Sequence, residues 1–439
     1  MNHYFRGNGN LRHRSVATVG MKSLPALLVN RVIRPGGITS ARWHPRLLGL
    51  LAVAVHWSTA LTEVAAAALI FSFLFSLRNL RNFPGEEPGV AITTVRRLRL
   101  LLILWGVYII AVCVSLSLSG ELLSSNARAL WHPFLFVVMI LTPLGLSDVK
   151  RVGLLYLLGG VSAAVALPLI NLAAGYQTPA VVFTGLTTFA DQIALLVILA
   201  VSATAFQRHR TVHVVGMAAA GIFLMVVLFW TAERAPVALL AVAGTVLVAI
   251  SRPRLLVFWG ALTIGLFFLA PSGLRAKSDW VVRGNPVDRY VVWEEGVRQL
   301  ARAPLFGAGP DSFTRLLPPE ARGRFANRAP SSWHNDLLQT TLDSGPVAAA
   351  TLAVLLFLAA VAAFRVAWGS RAGPDFARAI PGILFLSLTA LGFVGSVVST
   401  AILGSTYWTL MGLALRAWAF PATHSPAEQS RVTASDTSA

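Results

Sequence analysis

Apolar residues run along this chain in long stretches that short polar segments separate. A helix needs about 20 mostly apolar residues to cross the hydrocarbon of a bilayer. Ten stretches come near that length and predict membrane-spanning helices: 98–119, 128–145, 152–173, 187–206, 211–230, 235–250, 255–270, 346–364, 379–399 and 403–420. The pattern therefore predicts an all-α polytopic membrane protein.

An eleventh apolar stretch, 47–77, is 31 residues long, which is too long for one upright span and short for two. A tight hairpin of two short helices would give twelve spans and two cytoplasmic termini, with 24 of the 36 Lys and Arg residues in the cytoplasm. A single span would place the Arg-rich N-terminus outside. Because cytoplasmic segments of membrane proteins are enriched in Lys and Arg, the distribution favours about twelve spans.

Composition points to the same class of protein. Hydrophobic residues make up 56% of the chain and charged residues 12%, against about 25% charged residues in soluble domains. A soluble protein this apolar could not cover its core with polar surface, so the soluble, disordered and disulfide-rich classes are excluded. The one cysteine, Cys113, lies in an apolar run and predicts a small buried side chain.

The net charge is +18, from 36 Lys and Arg against 18 Asp and Glu. A basic excess fits nucleic acid, anionic lipid or a phosphorylated substrate. Ten of the basic residues lie in the segment 271–344, which the twelve-span topology places outside the cytoplasm. An Arg-rich outer segment above an apolar bundle suits an anionic head group on a lipid tail, and we expect no nucleic acid partner.

The chain divides into five parts. They are a basic cytoplasmic tail (1–46), the first part of a transmembrane bundle (47–270), an outer loop (271–344), the last part of the bundle (345–420) and a disordered cytoplasmic tail (421–439). The N-terminal tail, 1–46, has no apolar core, so we do not interpret it as a cleavable signal peptide. Its eight basic residues suit the surface of an anionic membrane.

The outer loop carries signals of local structure. Trp293, Val297 and Leu300 are spaced to form one apolar stripe on an amphipathic helix. The predicted elements are a helix from Val287 to Arg302, a turn at 307–310, a short helix capped by Asp311 that runs through Leu317, and a helix from Trp333 to Leu342, capped by Ser331 or Ser332 and ended by Gly345-Pro346.

His334 is the first candidate for chemistry, because it is the only histidine of the outer loop. The pattern places it at the start of a helix, where the partial positive charge of the helix end disfavours imidazolium. A neutral imidazole is what a general base requires. The alternative is an ordinary surface or capping histidine.

Arg234 and Arg289 are the second and third candidates. Arg234 lies between two apolar spans, where a charge is costly unless it is paired or functional. Glu233 is an obvious partner for it, and a plain interfacial anchor is the alternative. Arg289 could grip a phosphate with its planar guanidinium, or it could simply pair with Asp288 and Glu294.

Two carboxylates, Glu63 and Asp191, lie inside apolar runs and are candidates for proton or ion relays. His56 and His132 are predicted to be polar partners within the bundle. No acidic pair has the spacing of a metal site, and no phosphate-binding loop or serine-hydrolase turn is present. The sequence thus predicts no metal and no cofactor.

The order and spacing of these residues resemble the superfamily of O-antigen ligases and O-antigen polymerases, which are glycosyltransferases of the bacterial envelope. His334-Asn335, followed by nine residues and Gly345, resembles the family's His-Asn/Ser-x9-Gly motif. Arg289 and Trp293 resemble its Arg-x-x-x-Trp motif. The segment 304–309, which ends at Gly309, is similar to its Pro-x-x-Gly-x-Gly segment, and the turn 233–235 to its short Arg-containing loop.

The resemblance implies a multi-pass protein of the bacterial inner membrane that transfers a glycan on the periplasmic face. The donor would be a polysaccharide on undecaprenyl pyrophosphate. The acceptor would be lipid A–core oligosaccharide for a ligase, a second carrier-linked repeat for a polymerase, or a Ser or Thr side chain for a protein O-oligosaccharyltransferase. One dominant outer loop favours the ligase.

The resemblance also implies roles for the candidate residues. His334 would take the proton of the acceptor hydroxyl, and Arg234 and Arg289 would bind the pyrophosphate. Asn335, Trp293 and Gly309 would support them. The reaction would invert the anomeric configuration without a metal. A polysaccharide or lipid transporter is the competing class: it would explain the spans and the intramembrane carboxylates but gives the outer loop no role. A purely structural membrane protein is the weakest alternative.

Overall fold

The computed structural model describes residues 43–79, 92–122, 128–142, 144–173, 186–206, 211–231, 233–269, 288–322, 332–370, 378–398 and 400–419. Nearly all of the predicted tails, 1–46 and 421–439, and part of the outer loop therefore lie outside the described residues. The described residues form α-helices, one short 3-10 helix (Pro253–Leu255) and turns, and no strand is found among them.

The helices are numbered here in chain order. They are α1 (Trp43–Trp57), α2 (Thr59–Asn79), α3 (Ile92–Leu118), α4 (Arg128–Trp131), α5 (Phe134–Leu141), α6 (Leu146–Ala173), α7 (Leu186–Phe206), α8 (Thr211–Thr231), α9 (Arg234–Ser251), α10 (Leu256–Leu269), α11 (Asp288–Leu300), α12 (Ser312–Leu316), α13 (Pro319–Arg322), α14 (Asp336–Ser370), α15 (Ile380–Gly392) and α16 (Ala401–Ala419).

Five of these helices are long and apolar enough to cross a membrane. The qualifying segments are Thr59–Ser76, Arg96–Leu118, Leu146–Ile170, Leu186–Thr204 and Asp336–Gly369. Large apolar side chains remain exposed on their outer faces, including Phe71, Ile110 and Phe357 at 71%, 64% and 66% of their surface. Water would penalise such surfaces and lipid would not, so the fold is that of an all-α membrane protein. Twelve crossings remain a prediction.

The ambiguous apolar stretch 47–77 falls within two helices. α1 and α2 are separated by Ser58 alone. The rings of His44, near the start of α1, and Phe73, near the end of α2, have centroids 6.2 Å apart. Since these residues are 29 positions apart in the sequence, the two helices fold back on each other as an antiparallel hairpin.

The prediction of continuous helices at 128–145 and 379–399 is wrong. The first stretch breaks between α4 and α5 at His132 and Pro133, because proline supplies no N–H to a helix. The Pro133 carbonyl accepts hydrogen bonds from the indole N–H of Trp105 at 2.8 Å and from the backbone N–H of Phe136 at 3.2 Å. The second stretch ends at Gly392, and residues 393–398 are not helical.

The centre of the bundle is formed by α7 and α16. Every residue of α7 from Phe189 to Ala200 is buried, as is nearly all of α16. A buried hydrogen bond of 3.3 Å joins Gln192 of α7 to the hydroxyl of Thr406 on α16, and Tyr156 of α6 donates to Gln192 at 2.5 Å. These bonds fix the relative height of the three helices.

Candidate functional site

The described part of the outer loop has a hydrophobic core of its own. This loop core consists of Val292, Phe313, Leu317, Ala321, Trp333 and Leu342. Trp333 is completely buried, and its ring packs edge-on against Phe313 with centroids 4.9 Å apart. The segments 288–322 and 332–344 therefore fold together on the start of α14.

The predicted amphipathic helix exists as α11, but it buries a different face. Val297 and Leu300 of the predicted apolar stripe are 59% and 38% exposed, whereas Val292 is completely buried. Gly296 explains the rotation, since a Cβ at this position would lie 2.9 Å from the Trp333 ring. The helix turns its glycine towards the loop core so that the large ring of Trp333 fits against its backbone.

The glycine-rich segment 304–309 lies against the kink in α14. Gly345 interrupts that helix with φ 87° and ψ 168°, and a Cβ there would lie 2.1 Å from the carbonyl oxygen of Leu305. The N–H groups of Ala308 and Gly309 donate to the carbonyls of Leu342 and Asp343, at 2.8 and 2.9 Å. A Cβ at Gly307 would likewise lie 2.4 Å from the backbone of Asp343, so Gly307 and Gly345 together allow the two backbones to touch.

A polar network that the sequence analysis missed joins the loop segments. The Asp343 carboxylate accepts hydrogen bonds from the backbone N–H of Ser312 at 3.1 Å and from the Gln339 side chain at 2.7 Å. Gln339 in turn accepts from the backbone N–H of Trp333, whose indole donates to the Ser312 hydroxyl. The four-residue spacing of Gln339 and Asp343 on one helix was the available signal.

Asp311 does not cap α12 with its side chain, contrary to the prediction. Asp311 adopts a left-handed conformation with φ 61°, and its carboxylate accepts from the Thr314 hydroxyl. Asp343 fills the capping role from another part of the chain. Nearby, Arg315 donates to the carbonyls of Ala308 and Pro310, so this arginine holds the turn 307–310 in place.

His334 does not lie in the first turn of a helix as predicted, because the helix begins two residues later, at Asp336. The cap is Asn335, whose side-chain oxygen accepts the N–H of Leu338 at 2.9 Å. Ser332 is therefore not the cap, and Ser331 lies outside the described residues. His334 has φ 51°, a left-handed conformation uncommon for residues other than glycine.

The backbone around His334 is held from several directions. The indole N–H of Trp293 donates to the His334 carbonyl at 3.2 Å. The Asn335 amide donates to the Phe393 carbonyl at 3.1 Å, and the hydroxyls of Ser332 and Ser396 are 2.8 Å apart. A strained backbone conformation persists only where surrounding contacts hold it in place. These hydrogen bonds hold the backbone of His334.

Asp336 completes the connection to the segment 393–398. Its Oδ1 accepts the backbone N–H groups of Val397 and Val398 at 2.8 and 3.0 Å. Its Oδ2 is buried without a hydrogen-bond partner among the described residues. Gly392 faces that oxygen, and a Cβ there would lie 2.2 Å from it. Neither Asp336 nor this segment was a site candidate from sequence, although Asp336 directly follows the His-Asn pair.

The two candidate arginines lie near each other, although they are 55 positions apart. Burial and the neighbouring Arg234 guanidinium lower the pKa of Arg289, while the carboxylates of Asp191 and Glu233 oppose that shift. We call Asp191, Glu233, Arg234 and Arg289 the arginine cluster. Asp191 is 7% exposed and comes from α7, so the cluster joins the bundle to the loop.

The charged neighbours of Arg289 in the structure differ from those that the sequence offered. Glu294, one of the two alternative partners of Arg289, pairs with Arg298 at 2.5 Å. The side chain of Asp288 lies outside the described residues. Arg289 points into the charged cluster instead. Trp293, one turn further along α11, reaches the backbone of His334, so α11 connects the arginine cluster to the candidate base.

The remaining residues that were singled out from sequence lie in a turn or within the bundle. Gly309 is a buried turn residue, and a Cβ there would lie 2.4 Å from Ser119. His56 is buried and lies edge-on to Tyr156 with ring centroids 4.4 Å apart. Glu63 lies in α2 and His132 lies between α4 and α5, so both belong to the bundle and not to the loop. Among the described residues, no group of three or more His, Cys, Asp or Glu side chains could hold a metal ion.

The chain matches no protein family model and no curated protein.

Proposed function

We propose that this protein is a membrane glycosyltransferase that moves a glycan from a polyprenyl pyrophosphate, and specifically an O-antigen ligase. The observation that carries the proposal is the arginine cluster. Two arginines from distant parts of the chain lie in one half-buried place, at the junction of an apolar bundle with a folded loop. A pyrophosphate on a polyprenyl tail suits this place, because its phosphates can contact the arginines and its tail can contact the apolar bundle.

Two carboxylates balance the two arginines of the cluster, so a polyanion would be bound by the guanidinium forks and not by a net positive charge. Two neighbouring guanidinium groups repel each other, and this repulsion is stronger where water is partly excluded. Asp191 and Glu233 offset it within the protein. The planar forks of Arg234 and Arg289 can bind phosphate oxygens through paired hydrogen bonds. They would stabilise the negative charge that develops on the pyrophosphate as it leaves.

His334 is the proposed general base. Its ring would accept the proton of the acceptor hydroxyl as that oxygen attacks the first carbon of the donor glycan. The bond from this carbon to the pyrophosphate oxygen breaks, and its electron pair leaves with the pyrophosphate. Attack from the opposite face inverts the configuration of the carbon. The hydrogen bonds that fix the His334 backbone support a role that demands precise placement.

The two lipid-linked substrates would meet in the plane of the membrane. The bundle exposes large apolar side chains to the hydrocarbon, among them Trp230, which lies three residues before Glu233 and is 44% exposed. Tryptophans are enriched at the membrane–water interface. This placement is consistent with an arginine cluster at the level of lipid phosphates, with the periplasmic face of the inner membrane as the proposed location.

The decisive experiment uses the purified full-length protein and a carrier-linked glycan, with no added metal or nucleotide. Lipid A–core oligosaccharide is added as acceptor, and the product is followed as a new glycolipid together with released undecaprenyl pyrophosphate. The proposal expects transfer that survives EDTA. The matched control is His334→Ala protein, which should leave both substrates unchanged.

Three further arms separate the alternatives. Lengthening of the carrier-linked glycan without added acceptor would replace the ligase with a polymerase. Transfer only to a Ser or Thr of a protein acceptor would replace it with a protein O-oligosaccharyltransferase. Movement of the carrier-linked glycan across proteoliposomes without any transfer would overturn the glycosyltransferase proposal in favour of a transporter.

The sidedness of the loop is tested separately. Ala301 is exposed at the end of α11, whereas Ser312 is completely buried and unsuited to labelling. In a Cys113→Ala background, an Ala301→Cys protein should react with a membrane-impermeant thiol reagent in intact spheroplasts. Labelling only after lysis would place the loop in the cytoplasm and overturn the proposed topology.

A further inference from the structure

A second pair of arginines lies at the opposite end of the bundle. The start of α16 adjoins the segment 393–398, which Asp336 holds. Arg416 is fifteen residues after Ala401, so the helical rise places it about 23 Å further along α16. α15 ends at Gly392, next to Asp336, so Arg378, just before the first residue of α15, lies at the same far end.

A cavity runs along α16 towards these arginines. It has a volume of about 80 Å³ and lies between α1, α6, α15 and α16. Its wall is apolar apart from Tyr156, Thr406 and Thr409. Tyr156 donates to Gln192, and Thr406 donates to the carbonyl of Ile402. The hydroxyl oxygen of Thr409 is buried without a hydrogen-bond partner among the described residues.

The cavity continues into a second space of about 220 Å³, whose lining includes Arg378 and Arg416. The two spaces share four lining residues: Leu144, Val149, Pro381 and Leu413. Arg416 donates to the carbonyl of Ile140 at 2.8 Å, which fixes its side chain at this mouth. None of the described residues that line the mouth carries a carboxylate. Asp148, in the first turn of α6, accepts the N–H of Gly145.

We propose that this cavity binds an anionic phospholipid. The phosphate would lie between Arg378 and Arg416, and one acyl chain would extend along α16 past Leu413 and Thr409. Basic pockets between membrane helices recognise acidic head groups in this way. A water-soluble anion would not use the long apolar cavity, and an uncharged lipid would not use the two arginines at its mouth. The proposal rests on the membrane fold alone and is independent of glycosyl transfer.

The head-group end is tested by lipid binding to the delipidated full-length protein, measured by native mass spectrometry. Phosphatidylglycerol should bind more tightly than phosphatidylcholine with the same acyl chains. Arg378→Gln and the double variant with Arg416→Gln should weaken phosphatidylglycerol by about 5-fold for each arginine removed. Arg254→Gln is the control, because Arg254 is exposed and does not line the cavity. Arg416 also donates to the carbonyl of Ile140 in α5, so its removal can disturb the fold. The single Arg378→Gln variant tests the head-group site without removing that bond.

The tail end is tested by filling the cavity. Gly153 lines it, and a Cβ at this position meets nothing within 4 Å. Gly153→Leu should therefore fold normally and bind phosphatidylglycerol at least 5-fold more weakly. Gly106→Leu is the matched control, since Gly106 also lies in a helix with open space around its Cβ and does not line the cavity.

Three results would overturn the proposal. One is equal binding of phosphatidylglycerol and phosphatidylcholine. A second is unchanged phosphatidylglycerol binding in the Arg378→Gln and Gly153→Leu proteins. The third is full displacement of phosphatidylglycerol by glycerol phosphate, which would identify an anion site that does not use the apolar cavity.

Discussion

The bundle core and the loop core are stabilised in different ways. α7 and α16 are buried along nearly their whole length, and large sets of apolar side chains surround them. The loop core has six buried apolar residues, and its segments are joined by hydrogen bonds through Asp343, Gln339 and Ser312. The bundle depends on many interchangeable contacts, whereas the loop depends on a few specific ones.

This difference bears on function, because the candidate base belongs to the loop and the arginine cluster joins both regions. Apolar packing tolerates volume-conserving substitutions. A hydrogen bond with one donor and one acceptor has no such redundancy, and its loss leaves a buried polar group unsatisfied. We therefore expect conservative changes in the loop to impair transfer more than conservative apolar changes in α7 or α16.

The largest effect is expected at His334. His334→Ala removes the proposed base and should reduce the transfer rate by about 10²–10⁴-fold, measured with carrier-linked donor and lipid A–core acceptor. The protein should still insert and fold, since the His334 side chain is not part of the loop core.

His334→Gln separates two roles for this residue. Glutamine can hydrogen-bond the acceptor but cannot take its proton, so it should be nearly as impaired as alanine. Wild-type transfer by the glutamine protein would make His334 a substrate-positioning residue. Wild-type transfer by the folded alanine protein would remove His334 from the site altogether.

Gly345→Ala tests the geometry of the loop without touching a charged group. Alanine at φ 87° is strained, and its Cβ would overlap the carbonyl of Leu305. The combined cost should be about 3 kcal/mol or more, which corresponds to roughly 100-fold in the population of the correctly folded loop. Gly369→Ala, near the other end of α14, has open space around its Cβ and serves as the control.

The measurement for Gly345→Ala is hydrogen–deuterium exchange of residues 304–316, together with the transfer rate. Faster exchange and slower transfer are expected in Gly345→Ala protein and neither in Gly369→Ala protein. Unchanged exchange at 304–316 would show that the loop does not depend on the close approach at the kink.

Arg289→Lys and Arg234→Lys keep the charge and remove the planar fork. The loss of paired charge-assisted hydrogen bonds, worth about 1.5–3 kcal/mol, should slow transfer roughly 10–100-fold. Arg298→Lys is the matched control, because Arg298 lies on the same helix and pairs with Glu294 at the surface. Equal transfer rates in all three proteins would show that Arg234 and Arg289 have a structural role and do not bind the pyrophosphate through their forks.

Much of the bundle could be predicted from sequence, because a membrane span is a local property of length and apolarity. The stretches 98–119, 152–173 and 187–206 all correspond to long helices in the structure. The failures at 128–145 and 379–399 have specific causes. Pro133 interrupts the first, and in the second the N–H groups of Val397 and Val398 bond to the Asp336 carboxylate outside any helix.

The loop was less predictable, because its caps come from distant residues. Asp343 caps α12 from 31 positions away, which no local pattern reveals. The buried face of α11 is set by the fit of Trp333 against Gly296, and not by the local apolar spacing that favoured Val297 and Leu300. The proximity of Arg234 and Arg289 is likewise a tertiary feature, although each residue was singled out from sequence.

Asp336 provides a smaller test, of the contact between the loop and the segment 393–398. Asp336→Ala leaves the N–H groups of Val397 and Val398 without their acceptor, at a cost of about 1–3 kcal/mol for an unsatisfied buried donor. Transfer should slow about tenfold through kcat, with KM little changed. Asp336→Asn retains an acceptor oxygen and should recover most of the rate. Glu320→Ala, at an exposed position, is the control.

An Asp336→Ala protein with wild-type kcat would mean that the segment 393–398 does not position His334. An asparagine protein as slow as the alanine protein would mean that the charge of Asp336 matters, and not its acceptance of the two N–H groups.

The smallest expected effect is at Trp293, where one neutral hydrogen bond can be removed while the bulk of the ring is kept. Trp293→Phe loses the indole N–H that donates to the His334 carbonyl at 3.2 Å. A neutral hydrogen bond contributes about 1 kcal/mol, which predicts a decrease of about 5-fold in the transfer rate. Trp105→Phe is the matched control, since its indole also donates to a backbone carbonyl, that of Pro133, but within the bundle. If the loop depends on single bonds and the bundle does not, Trp293→Phe should slow transfer and Trp105→Phe should leave it unchanged. Equal slowing in both proteins would contradict that contrast, because a bundle bond would then matter as much to the site as a bond to the backbone of its proposed base.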